Sequence, residues 1–356
     1  MTGVADIDAL TAADTTGSAE RAHATTAPAQ TPVTVITGFL GSGKTTLIAR
    51  LLRHPGLENT AVIVNEFGEV GLDHMLMERL DGDIVLLPQG CLCCLVDGTI
   101  AGTLEGLDTR RMLGEVPMFE HVIIETSGLA NPAPILQTLL ERKVLLRGYT
   151  PGLVVTAVDA AHGLETLNRH AEAVQQVAMA DRLLLTKPDL EQGTALRERL
   201  AELNPQAALI EVLNGAIDPA DILHASADDL GLLAPQRLRR GRFAATSGHA
   251  SRICTVSLTL DEEVEFVDLA DFLGALAETF GANMLRAKGI VRIRGEARPL
   301  AVHGVQHSFH PPTRLAAWPA GLAHPTLVLI IADAEAEQIR AAAREFGLVS
   351  SQPNPA

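Results

Sequence analysis

The sequence predicts an α/β protein in which a mostly parallel sheet, covered on both faces by helices, precedes a smaller α+β domain. Three observations lead to this prediction. Short apolar, β-branched runs recur between residues 33 and 211 and alternate with segments of helical apolar spacing. A glycine-rich segment joins the first run to the first helix. After residue 251 the order becomes strand, helix, three strands and helix, which is typical of an α+β unit.

The first seven apolar runs are the predicted strands of the parallel sheet. They are Val33–Thr37, Ala61–Asn65, Asp83–Pro88, His121–Glu125, Leu153–Asp159, Arg182–Thr186 and Ala207–Glu211. We expect helices of ten or more residues between them, for example at 96–113. Polar motifs follow several of these runs directly, and ligands of open α/β sheets bind at the carboxyl ends of the strands. The sequence therefore predicts a binding site at that edge.

Changes in composition divide the chain into four parts. Residues 1–31 are rich in Ala and Thr and are expected to be a disordered tail. The α/β domain is assigned to 32–230, an aperiodic linker to 231–250 and the C-terminal α+β domain to 251–348. The C-terminal strands are expected at about 253–260, 284–294, 298–309 and 326–331, with helices at about 265–280 and 335–346. Cys254 alternates with Val256 and Leu258, so we expect a buried core thiol.

The glycine-rich segment, Gly38-Phe39-Leu40-Gly41-Ser42-Gly43-Lys44-Thr45, matches G-x-x-x-x-G-K-T. Its strand and helix flanks are those of a P-loop NTPase, where backbone N–H groups and a helix N-terminus bind phosphate. We expect Lys44 to contact the β and γ phosphates and to be needed for catalysis. The Thr45 hydroxyl is expected to ligate Mg²⁺, a cation that prefers hard oxygen ligands. The nucleotide-binding residues predicted here are Gly41, Ser42, Gly43, Lys44, Thr45 and Thr46.

Two acidic residues are predicted to complete the phosphate site. The strand His121–Glu125 ends in a carboxylate, which in P-loop proteins positions Mg²⁺ or its waters. Three residues later, Gly128 is expected to bring a backbone N–H to the γ-phosphate. The loop Glu66–Gly71 follows the second strand and is predicted to be a switch segment that responds to that phosphate. We therefore expect Glu66 and Glu125 to take part in hydrolysis.

A further motif, Thr186-Lys187-Pro188-Asp189, is predicted to select the base. The Asp189 carboxylate can accept the ring N–H and the exocyclic amine of guanine, a pair that adenine lacks. The aliphatic stem of Lys187 can lie over the base. GTPases more often have Asn at the first position, so Thr186 is a departure. The alternative interpretation is an ordinary strand-to-helix turn, because Pro and Asp favour turns.

Three of the four cysteines, Cys91, Cys93 and Cys94, fall within four residues. Thiolates this close can converge on one borderline or soft metal, and Zn²⁺ and Cu(I) are the natural candidates. Three ligands leave a fourth position open, which suits a metal that is handed on. Two alternatives stay open at this point. One is a redox switch, although vicinal cysteines form strained disulfides, and the other is a trio of small buried residues.

The charge of the chain argues against two classes of partner. With 43 acidic and 28 basic residues, the net charge is −15. Nucleic acids and anionic membrane surfaces are bound through Lys and Arg, so neither is expected as a partner. No apolar run approaches the length of a spanning helix, and the first residues lack the pattern of a secretory signal. We therefore expect a cytoplasmic protein.

Taken together, the motifs resemble the CobW family of GTPases, which includes YjiA-like proteins and zinc-regulated metalloprotein activators. The resemblance depends on the phosphate loop, Asn65-Glu66-Phe67-Gly68, Gly90-Cys91-Leu92-Cys93-Cys94, Glu125-Thr126-Ser127-Gly128, Thr186-Lys187-Pro188-Asp189, Arg286-Ala287-Lys288-Gly289 and Trp318-Pro319. It implies GTP hydrolysis coupled to zinc delivery, with GTP, Mg²⁺ and Zn²⁺ as cofactors and a client metalloenzyme as partner. Many members have a His-rich linker, whereas this linker contains only His249.

Three questions stay open from the sequence. A homo-oligomer is neither required nor excluded. A P-loop kinase acting on a small metabolite is one rival function, although it has no evident use for three clustered cysteines. A metal-sensing module in which the nucleotide is purely structural is the other rival.

Overall fold

The computed structural model describes residues 31–64, 85–88, 99–145, 147–190, 194–224, 253–309, 311–319 and 322–350. Two sheets organise these residues, as the sequence predicts. The first has seven strands in the order β3-β2-β4-β1-β5-β6-β7, and all of its pairings are parallel. Its strands are β1 (Thr31–Thr37), β2 (Thr60–Val64), β3 (Val85–Pro88), β4 (His121–Glu125), β5 (Tyr149–Asp159), β6 (Arg182–Thr186) and β7 (Ala208–Val212).

Helices cover both faces of this sheet because successive strand residues point to opposite sides and both sides are apolar. In β4, Ile124 belongs to the core beneath one layer of helices, whereas its neighbour Ile123 belongs to the core beneath the other. The helices of this domain are α1 (Lys44–Leu51), α2 (Ile100–Leu113), α3 (Ala133–Leu140), α4 (Arg142–Leu145), α5 (Gly163–Arg169), α6 (Ala171–Met179), α7 (Thr194–Leu203) and α8 (Ala220–Leu223).

Several of these helices are shorter than the ten residues we expected. Helix α3 has eight residues because Glu141 is in an extended conformation and ends it. In the same way, extended backbone at His170 separates α5, with seven residues, from α6. Thr31, which we assigned to the predicted N-terminal tail, is instead the first residue of β1 and pairs with Tyr149. Residues 1–30 lie outside the described residues, so the rest of that prediction stays untested.

The second sheet is antiparallel, with the order β11-β10-β9-β13-β8 and β12 paired to β10. Its strands are β8 (Ile253–Thr259), β9 (Met284–Val291), β10 (Leu300–Val305), β11 (Ser308–Phe309), β12 (Thr313–Arg314) and β13 (Thr326–Ala332). Helices α9 (Phe266–Phe280) and α10 (Ala336–Glu345) bury their apolar sides against it. Cys254 lies in this core, as predicted, and burial raises the pKa of its thiol.

The predicted strand 298–309 is in fact two strands. Gln306 has a left-handed φ of 52° and forms the turn between β10 and β11. The backbone N–H of Gln306 donates to the Met284 carbonyl, which holds the turn against the beginning of β9.

A buried ion cluster connects the two sheets. Asp181 lies directly before β6, and its carboxylate accepts two bonds from the Arg286 guanidinium, at 2.7 and 2.8 Å, and one from the Lys288 ammonium. It also accepts the Val154 N–H at 2.8 Å. Arg286 donates in addition to the Met179 carbonyl at the end of α6. The Arg286-Ala287-Lys288-Gly289 motif therefore joins the C-terminal sheet to the start of β6.

Burial alone would raise the pKa of Asp181, but the two cations and their hydrogen bonds hold it below its ordinary value. Its carboxylate is therefore ionised at neutral pH.

None of the helices in the described ranges has the length and apolar character needed to cross a bilayer.

Candidate nucleotide site

The phosphate loop begins directly after β1 and includes the first two residues of α1, and its backbone requires glycine. A Cβ added to Gly38 would lie 2.4 Å from the Ala157 carbonyl oxygen of β5, a distance that no side chain tolerates. Gly43 has φ of +90° directly before the helix, in the left-handed region that favours glycine. The tight backbone path from β1 to α1 therefore depends on glycine at both positions.

The Lys44 ammonium lies on this loop. Its Nζ donates to the Gly38 carbonyl at 2.7 Å and to the Phe39 carbonyl at 3.2 Å. The Ser42 hydroxyl is buried, and it has no hydrogen-bond partner among the described residues. Thr45 is half-buried and Thr46 exposed on the first turn of α1. A cation, an unpartnered hydroxyl and a helix N-terminus together fit a nucleotide phosphate.

The turn after β4 lies against the same loop. Glu125 ends the strand opposite Ile36 of β1, and it is only 4% exposed. The Thr126 hydroxyl donates to the Thr37 hydroxyl at 2.7 Å. A Cβ added to Gly128 would lie 2.8 Å from the Leu40 backbone nitrogen, so only glycine permits this approach. The structure thus brings Glu125 and Gly128 to the phosphate loop.

The Thr186–Asp189 motif reaches the loop from its other side. The Thr186 hydroxyl donates to the Ser42 carbonyl at 2.8 Å, which ties the end of β6 to the phosphate loop. Lys187 has a left-handed φ of 53°, and its ammonium donates to the Gly41 carbonyl at 3.0 Å. Asp189 is exposed two residues beyond, at the carboxyl edge of the sheet.

Asp159, which we did not predict as a site residue, pairs with Lys187. Its Oδ2 accepts the Lys187 ammonium at 2.6 Å, and Oδ1 accepts the Ala161 N–H at 2.8 Å. Burial alone would raise the pKa of Asp159, but these hydrogen bonds and the Lys187 charge hold it below its ordinary value. Its position was a usable signal, because Asp159 closes its strand as Glu125 closes β4.

A cavity of about 340 Å³ adjoins the phosphate loop. Its walls come from residues 39–42 of the loop, the end of β5, and helices α5 and α6. Phe39 stacks on His170 with a centroid distance of 4.4 Å, which links the loop to the junction of those two helices. Gln176 of α6 forms part of the wall, and nothing in the sequence indicated a role for it.

Four of the predicted site residues, Glu66, Cys91, Cys93 and Cys94, lie outside the described residues. Their roles stay predictions, as does the switch segment Glu66–Gly71. Within the described ranges, no group of three or more His, Cys, Asp or Glu side chains is placed to hold a metal ion.

Known families and proteins match most of the chain. The family described as the CobW/HypB/UreG nucleotide-binding domain matches residues 32–211, and the cobalamin synthesis protein cobW C-terminal domain matches residues 253–346. A similar protein of Escherichia coli (strain K12) is named zinc chaperone YjiA. It is 33% identical over 313 residues, which cover 87% of this chain and 96% of that protein.

Two further matches point the same way. A Schizosaccharomyces pombe protein named zinc-regulated GTPase metalloprotein activator 1 is 34% identical over 197 residues, 52% of this chain and 47% of its own length. The crystal structure of Zn(II)-bound YjiA GTPase from E. coli superposes with a TM-score of 0.66 at 29% identity. That match covers 90% of this chain and 99% of the YjiA chain.

Proposed function

This chain belongs to the CobW/HypB/UreG family, and we propose that it is a GTP-hydrolysing metallochaperone that binds Zn²⁺ and delivers it to a client metalloprotein. The observation that carries the proposal is the arrangement around the phosphate loop. The turn after Glu125 lies against one part of the loop, and the Thr186–Asp189 motif is hydrogen-bonded to another. The turn that would respond to the γ-phosphate and the motif that would select the base are thus both in contact with the phosphate loop.

The phosphate loop would hold the nucleotide through residues 41–46. The Lys44 ammonium would move from the loop carbonyls to the β and γ phosphates. The Thr45 hydroxyl and the Glu125 carboxylate would hold Mg²⁺, directly or through its waters. The ion, when bound, would neutralise the charge on the phosphate oxygens. Glu66 of the proposed switch segment and Glu125 would act in hydrolysis together with Lys44.

The Thr186–Asp189 motif would select guanine. Asp189 is exposed at the sheet edge, where a carboxylate can accept two donors from the base. Its neighbour Lys187 is held by Gly41 and Asp159, so the stem that would cover the base has a fixed position. The Thr186 hydroxyl donates to the Ser42 carbonyl, so Thr186 would support base selection by anchoring the motif to the phosphate loop.

Zinc would be the cargo of the cycle, held by Cys91, Cys93 and Cys94. The zinc-related names of the relatives support this assignment, as does the softness of a thiolate trio. In the sequence, the cysteines lie between the Glu66–Gly71 segment and the Glu125 turn. Ordering of both by the γ-phosphate would set the geometry of the metal site. Hydrolysis would then release the metal to a client in the cytoplasm.

The test is GTP turnover measured with and without stoichiometric Zn²⁺, using ATP as the matched control nucleotide. We expect turnover of GTP but not of ATP, and a rate that changes when Zn²⁺ is bound. The variant with Cys91, Cys93 and Cys94 replaced by Ser is expected to hydrolyse GTP without responding to Zn²⁺. Transfer of the phosphate to a metabolite, or no turnover even with metal and candidate clients, would contradict the proposal.

A further inference from the structure

Gln176, in the middle of α6, has side-chain hydrogen bonds that lead to the nucleotide site. The residue is fully buried. Its Nε2 donates to the Gly128 carbonyl at 3.2 Å and to the Ala130 carbonyl at 2.9 Å. Both carbonyl oxygens accept from the same nitrogen, and the amide oxygen of Gln176 has no hydrogen to donate to them. The neighbours therefore fix which end of the amide faces the turn.

The turn that Gln176 contacts is the one after β4. One side of this turn lies on the phosphate loop, through the close approach of Gly128 to Leu40. Its other side faces α6, and Gln176 supplies both donors there. The turn thus lies between the phosphate loop and a single buried amide.

Gln176 is itself fixed by the sheet. The Thr156 hydroxyl of β5 donates to the Gln176 backbone carbonyl at 2.9 Å. The side-chain oxygen Oε1 is buried and has no hydrogen-bond partner among the described residues. If the side chain at this position only had to fill the core, an apolar residue would do so without leaving a buried oxygen atom unsatisfied. The two donors to the turn are what a glutamine adds.

We propose that Gln176 is a positioning residue that holds the turn after Glu125 in the geometry that responds to the γ-phosphate. The inference depends on the proposed function, because it assumes that Gly128 offers its N–H to that phosphate. GDP lacks the γ-phosphate and makes no use of this turn. Loss of the Gln176 donors should therefore weaken GTP binding and hydrolysis while leaving GDP binding unchanged.

Asn204, the residue directly after α7, provides a matched control because its side chain also bonds to the end of α6. It is also a buried amide, and its Nδ2 donates to the carbonyls of Val177, Ala178 and Ala180 at the end of α6. These hydrogen bonds stabilise the end of α6, and none of their acceptors belongs to the turn after β4. A substitution at Asn204 therefore reports what loss of a buried amide does to α6 in general.

The experiment compares Gln176→Met and Asn204→Leu with the parent in the full chain. Affinities for GDP and for a non-hydrolysable GTP analogue are measured with Mg²⁺, together with single-turnover hydrolysis and the thermal midpoint. For Gln176→Met we expect hydrolysis to fall by about tenfold or more and the analogue to bind more weakly relative to GDP. For Asn204→Leu we expect a lower thermal midpoint with an unchanged ratio of the two affinities.

Equal weakening of GDP and the analogue by Gln176→Met would overturn the inference and leave only a structural role. Unchanged hydrolysis and an unchanged affinity ratio would also overturn it. If Gln176→Met does not fold, Gln176→Asn gives the same decision, because its amide is one methylene too short to reach the turn. Failure of the parent to hydrolyse GTP would count against the proposed function instead, and the ratio of affinities would still decide on Gln176.

Discussion

Replacement of Asp181 by Ala should destabilise the protein more than any exposed charge substitution. The carboxylate accepts four hydrogen bonds: two from the Arg286 guanidinium, one from the Lys288 ammonium and one from the Val154 N–H. Its removal leaves two buried cations without their shared anion. Breaking a buried ion pair in this way costs about 3–5 kcal/mol, a large part of a typical stability of about 5–15 kcal/mol.

The same substitution predicts a pH dependence. The two cations hold the pKa of Asp181 below its ordinary value of 3.8, despite the opposing effect of burial. A group with a lowered folded-state pKa contributes stability that is present above the unfolded pKa and is lost as pH falls through the folded pKa. The difference in unfolding free energy between parent and Asp181→Ala should therefore be constant from about pH 6 to 8. It should decrease as the pH falls below about 4.

The assay is urea unfolding followed by two probes. Trp318 is the single tryptophan and lies in the C-terminal domain, stacked under Arg292, so its fluorescence reports that domain. Far-UV circular dichroism reports both sheets. We expect one shared transition for the parent and an earlier, separate fluorescence transition for Asp181→Ala, because the link to β6 is lost.

Two controls define what would refute this reasoning. Glu337→Ala removes an exposed partner of Arg344 in the same domain and should leave the urea midpoint unchanged. The triple variant Asp181→Leu, Arg286→Met and Lys288→Met replaces the cluster by apolar side chains and should recover most of the lost stability. An Asp181→Ala midpoint equal to that of the parent would show that the ion cluster does not join the sheets energetically.

Two further predictions concern the nucleotide. Lys44→Ala should nearly abolish GTP hydrolysis and leave the circular dichroism spectrum unchanged, because it removes the proposed charge contact with the phosphates and no apolar core side chain. Turnover at the parent rate would exclude the phosphate-loop assignment. Asp189→Asn should weaken GTP and improve xanthosine triphosphate, since Asn can donate to the extra carbonyl of xanthine. Equal affinities of the parent for ATP and GTP would exclude the guanine assignment.

Local patterns in the sequence were sufficient to predict the strands that carry the site. The predicted bounds of His121–Glu125 and Arg182–Thr186 agree with the structure at both ends, since each is an apolar run bounded by polar or turn-forming residues. The phosphate loop follows from a motif in which Gly38 has no room for a side chain and Gly41 and Gly43 have positive φ. The break at Gln306 was missed because a left-handed non-glycine residue leaves no clear mark in the sequence.

Contacts between distant parts of the chain could not be predicted in this way. Asp181 and Arg286 are more than a hundred positions apart, and their pairing depends on how the two sheets pack. Gln176 sits among apolar helical neighbours, and its partners are backbone carbonyls, which any sequence offers. The motif comparison identified Thr186 as a departure, and only the structure gives its hydroxyl an acceptor in the phosphate loop.

The central claim is that the nucleotide state controls zinc affinity, and a competition titration tests it most directly. Zn²⁺ is titrated against a chelating dye with GDP and with a non-hydrolysable GTP analogue, both with Mg²⁺. Because Zn²⁺ binds thiolates, its affinity should rise with pH in both states and binding should release protons. We predict binding about 5–150-fold tighter with the analogue, a coupling of about 1–3 kcal/mol, and loss of both the tight site and the coupling when Cys91, Cys93 and Cys94 become Ser. Identical Zn²⁺ affinities in the two nucleotide states would contradict the account.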